Sequence, residues 1–372
     1  MSLIRVGVLR GGPSHEYEVS LKTGQHILSI LNREPLSKHY KGVDIFIDKG
    51  GIWHIDGVPM TPELAMRRVD VVFNALKGTY GEDGTIHNLL KLFSVPYVGS
   101  EPYATAMTMN KGVAKNHFKK HGIKTPYHKE LNLPHGENLE PIAHDVFKSF
   151  PMPVVVKPKG MGSSLGVSFA SNFQELIEAL DHARGFSNEV LVEEHITGKE
   201  IISGFLDDFR GKDLYHMFPV EVKPAKHPHL SDPVADAKSA EVTLSDLSPE
   251  EQAFAHRIEE RKRQKHHGHH GIFDWSKKFS GAYDHHSPST LTPEEKKVVE
   301  DAMGTIRKEL GLSHFATADF IVHPRRGVYV LEVNALPHIH EHAPIYKSLD
   351  AAGIKHHEFI DHLIRLALKR GK

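Results

Sequence analysis

The chain has 372 residues, enough for two or three domains with cores of their own. Lys and Arg total 46 against 47 Asp and Glu, a formal charge of -1, so nothing in the balance marks nucleic acid or an anionic membrane as partner. There is no cysteine, which excludes disulfides, thiolate metal sites and cysteine nucleophiles and fits a reducing compartment. No apolar run is long enough to span a bilayer, and the opening residues carry one basic side chain, Arg5, before a strand-like run, so no signal peptide is expected.

Residues 4–9 read as a strand, followed by a tight turn through Gly11, Gly12 and Pro13 and a helix over 16–31. That order describes an open α/β unit with ligands at the strand's carboxyl end. Glu16 and Glu18 sit near the helix start, where a carboxylate simply favours the helix dipole. A second strand at 71–75 leads into a loop with three glycines and two acids, then a helix at 86–93 and a short strand at 96–98. Lys111 opens a helix reaching His121. Residues 124–150 read as a polar connection containing several prolines.

The run VVVKPKGMGSSLGV at 154–167 is the chain's most informative stretch. Its apolar β-branched residues make a buried strand that ends at Lys157-Pro158. Gly160, Gly162, Ser163, Ser164 and Gly166 follow. Free backbone N–H groups, serine hydroxyls and a lysine together suit phosphate oxygens; an ordinary glycine-rich turn is the plainer account. The spacing is neither a Walker loop nor a dinucleotide fingerprint. A helix at 173–183 and a strand at 189–194 come next.

Residues 223–271 differ in composition, rich in Pro, Asp, Lys and His, and look inserted or peripheral. Ser248-Pro249 and Thr292-Pro293 both carry the signals of a helix start, and Gly311 ends the second helix. Residues 318–322 and 328–334 form two apolar runs joined by a Gly-containing turn, which predicts a hairpin. Asp319, Glu332 and Asn334 then share a face and offer three oxygen ligands suited to Mg²⁺; a polar sheet face is the alternative. Of the 30 histidines, His266, His267, His269 and His270 form a tract able to bind a transition metal, and His338, His340 and His342 alternate along one segment.

Taken together, GGPSHEYEVSLKTG at 11–24, LKGTYGEDGTIHNLL at 76–90, MNKGVAK at 109–115, the glycine stretch, VLVEEHITGKE at 190–200, and ADFIV with YVLEVNALP at 318–337 resemble the D-alanine–D-alanine ligases of the ATP-grasp superfamily. The resemblance implies an α/β (α+β) fold of three domains: an N-terminal open α/β substrate domain at 1–105, a central ATP-grasp subdomain at 106–205, and a C-terminal one at 206–372 with the insert at 223–271. It implies ATP and Mg²⁺ as cofactors, amino acids as substrates, a cytoplasmic location, and a homodimer as the family commonly forms, with no nucleic-acid or membrane partner.

The resemblance also assigns roles. Lys111 and Lys157 match the lysines that hold the nucleotide phosphates, with Ser163 and Ser164 in the closing loop. Glu193, Glu194 and Ile196 match the adenine strand and Glu200 the ribose acceptor. Asp319, Glu332 and Asn334 match the magnesium ligands, Glu16 the carboxylate that receives the first ammonium group, and Lys278 a further active-site lysine. Departures cluster on the acceptor side. Thr317 stands where the family has an arginine, His338 where it has a glycine, Ala343 where it has a small hydroxyl residue, Lys77 where it has a histidine, and Phe279 where it has a tyrosine. Lys77, His338 and His340 are the candidate replacement cations. The expected activity is ATP-dependent dipeptide formation through an acyl phosphate. The alternatives are a related ligase with another acceptor, such as a D-hydroxy acid, and a non-catalytic nucleotide-binding homologue.

Overall fold

A computed structural model describes residues 3–162, 166–224 and 283–371. Three sheets follow one another along the chain. The first is built from β1 (Ile4–Gly11), α1 (Tyr17–Leu31), β2 (Tyr40–Ile47), β3 (Trp53–Ile55), β4 (Val58–Met60), α2 (Pro62–Met66) and β5 (Val71–Asn74). Its strand order is β4-β3-β2-β1-β5, with β1 parallel to both β2 and β5. Val6, Val8 and Leu9 are fully buried, as strands covered on both faces require. The strand expected at 96–98 reduces to one parallel bridge between Val72 and Tyr97. Among the described residues, two backbone bonds join this short edge to β5: Val72 N–H to the Pro96 carbonyl and Val98 N–H to the Val72 carbonyl.

Helices α3 (Thr85–Leu92), α4 (Pro102–Met109) and α5 (Lys111–Lys120) lead to the second sheet. It contains β6 (His128–Asn132), β7 (Val154–Pro158), β8 (Ser168–Ala170) and β9 (Glu189–Glu194) in the order β6-β9-β7-β8, covered by α6 (Leu139–Ser149) and α7 (Phe173–Arg184). The polar connection expected at 124–150 is therefore corrected to a strand and a helix. Residues 128–132 pair on one side only, with β9, so their exposed positions carry polar groups. α6 is started by the Asn138 side chain, which accepts the Glu140 N–H, and buries Leu139, Ala143 and Val146.

The third sheet joins β10 (Lys199–Phe209), β11 (Lys212–His216), β12 (Val220–Pro224), β13 (Tyr283–His286), β14 (Phe315–His323) and β15 (Gly327–Asn334). Its path is β13-β12-β10-β14-β15, with β11 paired to β10. Helix α8 (Pro293–Leu310) packs on it through Val299, Met303, Ile306 and Leu310. The predicted start of α8 holds: Thr292 and Glu295 cap each other's backbone N–H reciprocally, Pro293 occupies the first turn, and Gly311 ends the helix at φ 65°. The start expected at Ser248 and the insert up to residue 271 lie outside the described residues, apart from Lys223 and Pro224 in β12.

After α9 (Pro344–Ala351), helix α10 (His356–Arg370) returns to the first sheet and packs on α1 and β5. Phe359, Ile360, Leu363, Ile364 and Ala367 join Val6, Val8, Ile27 and Leu31 in one core. Tyr40 donates to Asp361 at 2.7 Å, and the Arg370 guanidinium donates to the Tyr97 and Gly99 carbonyls. No helix among the described residues is long and apolar enough to cross a membrane.

Two buried histidines make this core acid-sensitive. His314 accepts the Gly99 N–H on Nδ1 at 3.1 Å, and burial with the nearby Arg370 charge pushes it down to about 3. His87 is wholly buried, and burial with Arg370 pushes it down to about 4. Both are neutral in the fold, whereas the unfolded chain binds protons below its usual pKa of about 6.5. Stability therefore falls as pH drops from 6.5 towards 4, by roughly 1.4 kcal/mol per pH unit for each histidine. Urea unfolding between pH 7 and pH 5 should show this slope, and His87→Gln should flatten it; an unchanged slope in that variant removes His87 from the account.

Candidate active site

Between the second and third sheets lies a cleft of about 840 Å³, open to solvent. Its lining is apolar at Val155, Val167, Ile196, Ile202, Ile321 and Leu331, and charged at Glu194, Glu200 and a cluster of Lys157, Glu193, Asp319 and Glu332 that forms its charged end. A flat heterocycle fits the apolar surfaces and an anion the cluster. Strand register sets part of that cluster. Asp319 lies directly opposite Glu332, and Thr317 opposite Asn334, so all four share one face of the β14–β15 hairpin. Between Asp319 and Phe320 the register slips, so that Phe320 faces Val330 and Leu331 is an extra residue. That bulge lets sequence neighbours Leu331 and Glu332 both border the cleft.

Beneath the charged end, Glu193 is buried between two lysines. Its Oε1 lies 2.9 Å from Lys115 Nζ, and its Oε2 accepts from Lys157 Nζ at 2.8 Å. Lys115 also donates to the Thr125 hydroxyl at 3.0 Å. Burial opposes the charge on Glu193, but the two ammonium groups outweigh it and hold the carboxyl near 2. Lys115 has one carboxylate against complete burial, and burial pushes it down to about 8. Burial also works against Lys157, yet Glu193, Glu332 and Asp319 together raise it. Lys157 is therefore a firm cation at neutral pH, aimed where an anion would lie.

Lys111 reaches the same place from another element. Asn110 caps α5 by accepting the Val113 N–H at 3.1 Å, which sets Lys111 at the first position of the helix. Its Nζ donates to the Met161 carbonyl and stands 3.4 Å from Glu332 Oε2. A second, smaller chamber of about 360 Å³ adjoins it, lined among others by Glu82, Thr105, Lys111, Gly162, Glu332 and Asn334. Glu332 belongs to both spaces.

The loops around the second chamber are tied together. Ser14 donates to the Lys77 carbonyl at 2.6 Å and accepts the Glu16 N–H at 3.1 Å. Glu82 accepts the Gly78 N–H at 2.7 Å, and Lys77 Nζ donates to the Leu336 carbonyl. Glu16 is 3% exposed and lies against Gly162: a Cβ there would stand 2.7 Å from Glu16 Oε1. Gly162→Ala should lower turnover about 10²-fold by displacing that carboxylate, with an unchanged unfolding midpoint. Steady-state kinetics beside thermal unfolding tests this, and wild-type turnover would disprove the close approach.

The family model described as the D-ala D-ala ligase C-terminus matches residues 118–227 and 234–365, and the N-terminus model matches 57–100. A D-alanine–D-alanine ligase of Geobacter sulfurreducens is 31% identical over 90% of this chain and 84% of its own length. One from Pelotomaculum thermopropionicum is 28% identical over 98% of this chain and 97% of its own. The chain belongs to the D-alanine–D-alanine ligase family. The crystal structure of a family ligase from Bacillus anthracis superposes with a TM-score of 0.70 at 25% identity, covering 99% of this chain and 98% of that one. The expected ATP-grasp α/β fold is thus borne out, and the chain is an ATP-dependent ligase.

In this ligase, Lys157, Glu193, Glu194, Ile196, Glu200, Asp319 and Glu332 come together around the larger cleft, and Lys111, Glu332 and Asn334 around the smaller. The Glu194 side chain turns away to pair with Arg326 at 2.9 Å and to accept the Tyr127 N–H, leaving its backbone at the cleft. Ser163, Ser164, Lys278 and Phe279 lie outside the described residues. Thr317 is buried, and His338 is half-buried beside His340. One expectation is corrected: His340 is no replacement cation, because burial and neighbouring His342 and His26 push it down to about 4 and leave it neutral near pH 7. Lys115 received no role from sequence. Its signal was the second lysine of MNKGVAK, one helical turn after Lys111.

Proposed function

We propose that this ligase makes D-alanyl-D-alanine from ATP and two D-alanine molecules, the dipeptide used in peptidoglycan synthesis. The observation that carries the reading is the double membership of Glu332, which borders both the charged end of the larger cleft and the smaller chamber beside Lys111. Adenine binds beside Ile196, with the backbone from Glu194 to Ile196 as partner and Glu200 receiving a ribose hydroxyl. Lys111 and Lys157 bind the phosphates. The family resemblance gives Ser163, Ser164 and Lys278 roles toward the same nucleotide, and water must be kept from the intermediate, which it would hydrolyse.

Asp319, Glu332 and Asn334 offer oxygen donors alone, on one sheet face at the phosphate end, which is the donor chemistry of Mg²⁺. Bound there, the ion would supply positive charge that offsets the negative charge of the phosphates. The first D-alanine sits in the smaller chamber with its ammonium on Glu16. Its carboxylate attacks the γ-phosphorus and ADP leaves, giving an acyl phosphate. The amine of the second D-alanine attacks the acyl carbon, and the tetrahedral intermediate expels phosphate. Oxide is a poor leaving group and phosphate a good one, which is why ATP is spent. The protein's contribution is positioning and charge neutralisation.

A second reading, an acceptor other than D-alanine, is favoured by two features of the acceptor side. Thr317 replaces a bidentate cation, and His340 carries no proton near pH 7. Phosphate release from MgATP with D-alanine, D-lactate, D-serine, L-amino acids and small amines tests both. Release with D-alanine alone, yielding the dipeptide, supports the first reading. Release only with a mixture containing another acceptor supports the second, and no release with any overturns both.

A further inference from the structure

Away from the nucleotide cleft, two helices bring three metal-ligating side chains together. His117 lies in the last turns of α5, His121 is the residue that caps its C-terminus, and Glu309 lies near the end of α8. One ligand atom from each residue lies within 4.8 Å of the other two. The imidazole centroids are 4.7 Å apart, and His121 Nδ1 stands 3.4 Å from Glu309 Oε2. Among the described residues, His117 Nε2 is buried and has no hydrogen-bond partner.

We propose that His117, His121 and Glu309 form a site for a divalent transition-metal ion of the zinc class, which ties α5 to α8. The imidazoles of His117 in α5 and His121 at its C-cap present nitrogens to a common point, and a carboxylate from a neighbouring helix completes three ligands. Bond lengths of about 2.0–2.2 Å in a tetrahedron put ligand atoms roughly 3.4 Å apart, which is the His121–Glu309 separation already present. Mg²⁺ is the wrong occupant, since it prefers six oxygens. A plain ion pair would account for His121 and Glu309 but leaves the buried nitrogen of His117 unsatisfied. The other neighbour of Glu309, Lys308 at 3.7 Å, is a largely exposed and weak competitor.

The location gives the ion a structural role. α5 carries Lys111 and Lys115, while α8 packs on β10, β14 and β15. A metal bridge would fix the helix of the phosphate-binding lysines against the sheet that carries Asp319 and Glu332. It stands independently of the dipeptide reading.

The test uses the full chain, with zinc chloride as probe. Histidines that bind zinc equally well in folded and unfolded chains leave the unfolding temperature unchanged, so thermal unfolding isolates a site made by the fold. Wild type should melt higher with zinc than without. Glu309→Gln and His121→Asn, both partly exposed, should each melt like wild type without metal and lose the zinc increment. Equilibrium dialysis should show one zinc fewer per chain in each variant, or an affinity weakened at least about tenfold. No increment in wild type, or an increment retained in either variant, overturns the proposal.

Discussion

Glu193→Gln should be among the most damaging single substitutions in this protein, lowering stability by about 3–5 kcal/mol. The carboxylate lies between two lysines, one of them completely buried, and both pairs are shorter than 3 Å. Removing the negative charge leaves two ammonium groups facing each other out of water. The loss is capped because Lys115, already pushed down to about 8, can shed its proton. A lysine whose folded pKa lies below its unfolded value costs stability while it is charged, and the cost fades as pH rises through the folded pKa. In the variant that pKa drops further. The gap to wild type should therefore be widest in mild acid and narrow towards pH 8, where wild-type Lys115 also begins to lose its proton. Lys115→Met should cost much less, since it keeps the Glu193–Lys157 pair and replaces a buried cation by an apolar chain of similar length. Urea midpoints at constant slope across pH 6 to 9 give these quantities. A Glu193→Gln loss below 1 kcal/mol at pH 6 would show that the carboxylate does not hold the two lysines.

Glu332→Gln should reduce acceptor-dependent phosphate release by about 10²–10³-fold while nucleotide still binds. The substitution keeps the shape of the side chain and removes its charge where the two chambers meet. It also removes the partner lying 3.4 Å from Lys111, so that lysine turns more fully to the phosphates. Without a divalent ion, nucleotide affinity should stay level or tighten, whereas the gain on adding Mg²⁺ should shrink. Asn334→Ala should lose turnover similarly without any change of charge. Binding measured with and without Mg²⁺, beside phosphate release, separates a metal ligand from a general anion contact. Turnover within threefold of wild type in Glu332→Gln would falsify the metal assignment.

The β14–β15 hairpin and the start of α8 could be read from sequence because their signals are local. Alternation of apolar and polar residues fixes a strand's two faces, and Thr292, Pro293 and Glu295 act within one turn. The bulge at Leu331 was not legible, since alternation alone does not say where a partner strand slips. β6 was missed for the opposite reason: an edge strand has polar groups on its exposed side and so resembles a loop. Lys115 was invisible because helix periodicity shows that a face is buried, not that a carboxylate from β9 waits beneath it. The triplet around His340 depended on burial, which decides whether an imidazole is a cation and which alternation along its own segment does not show; one group acting on it, His26, lies on α1 far away in the chain. The resemblance supplied roles at the nucleotide end, where matching motifs run on without a break, and fewer at the acceptor end, where the motifs depart.

The return of α10 to the first sheet sets the order of packing against the order of synthesis. β1 and α1 are made long before Phe359, Ile360, Leu363 and Ile364, which cover their apolar side. Until α10 is made, Val6, Val8, Ile27 and Leu31 lack part of their packing. The first sheet thus cannot finish folding until α10 arrives, and a fragment ending before residue 356 exposes a sticky surface rather than a working half.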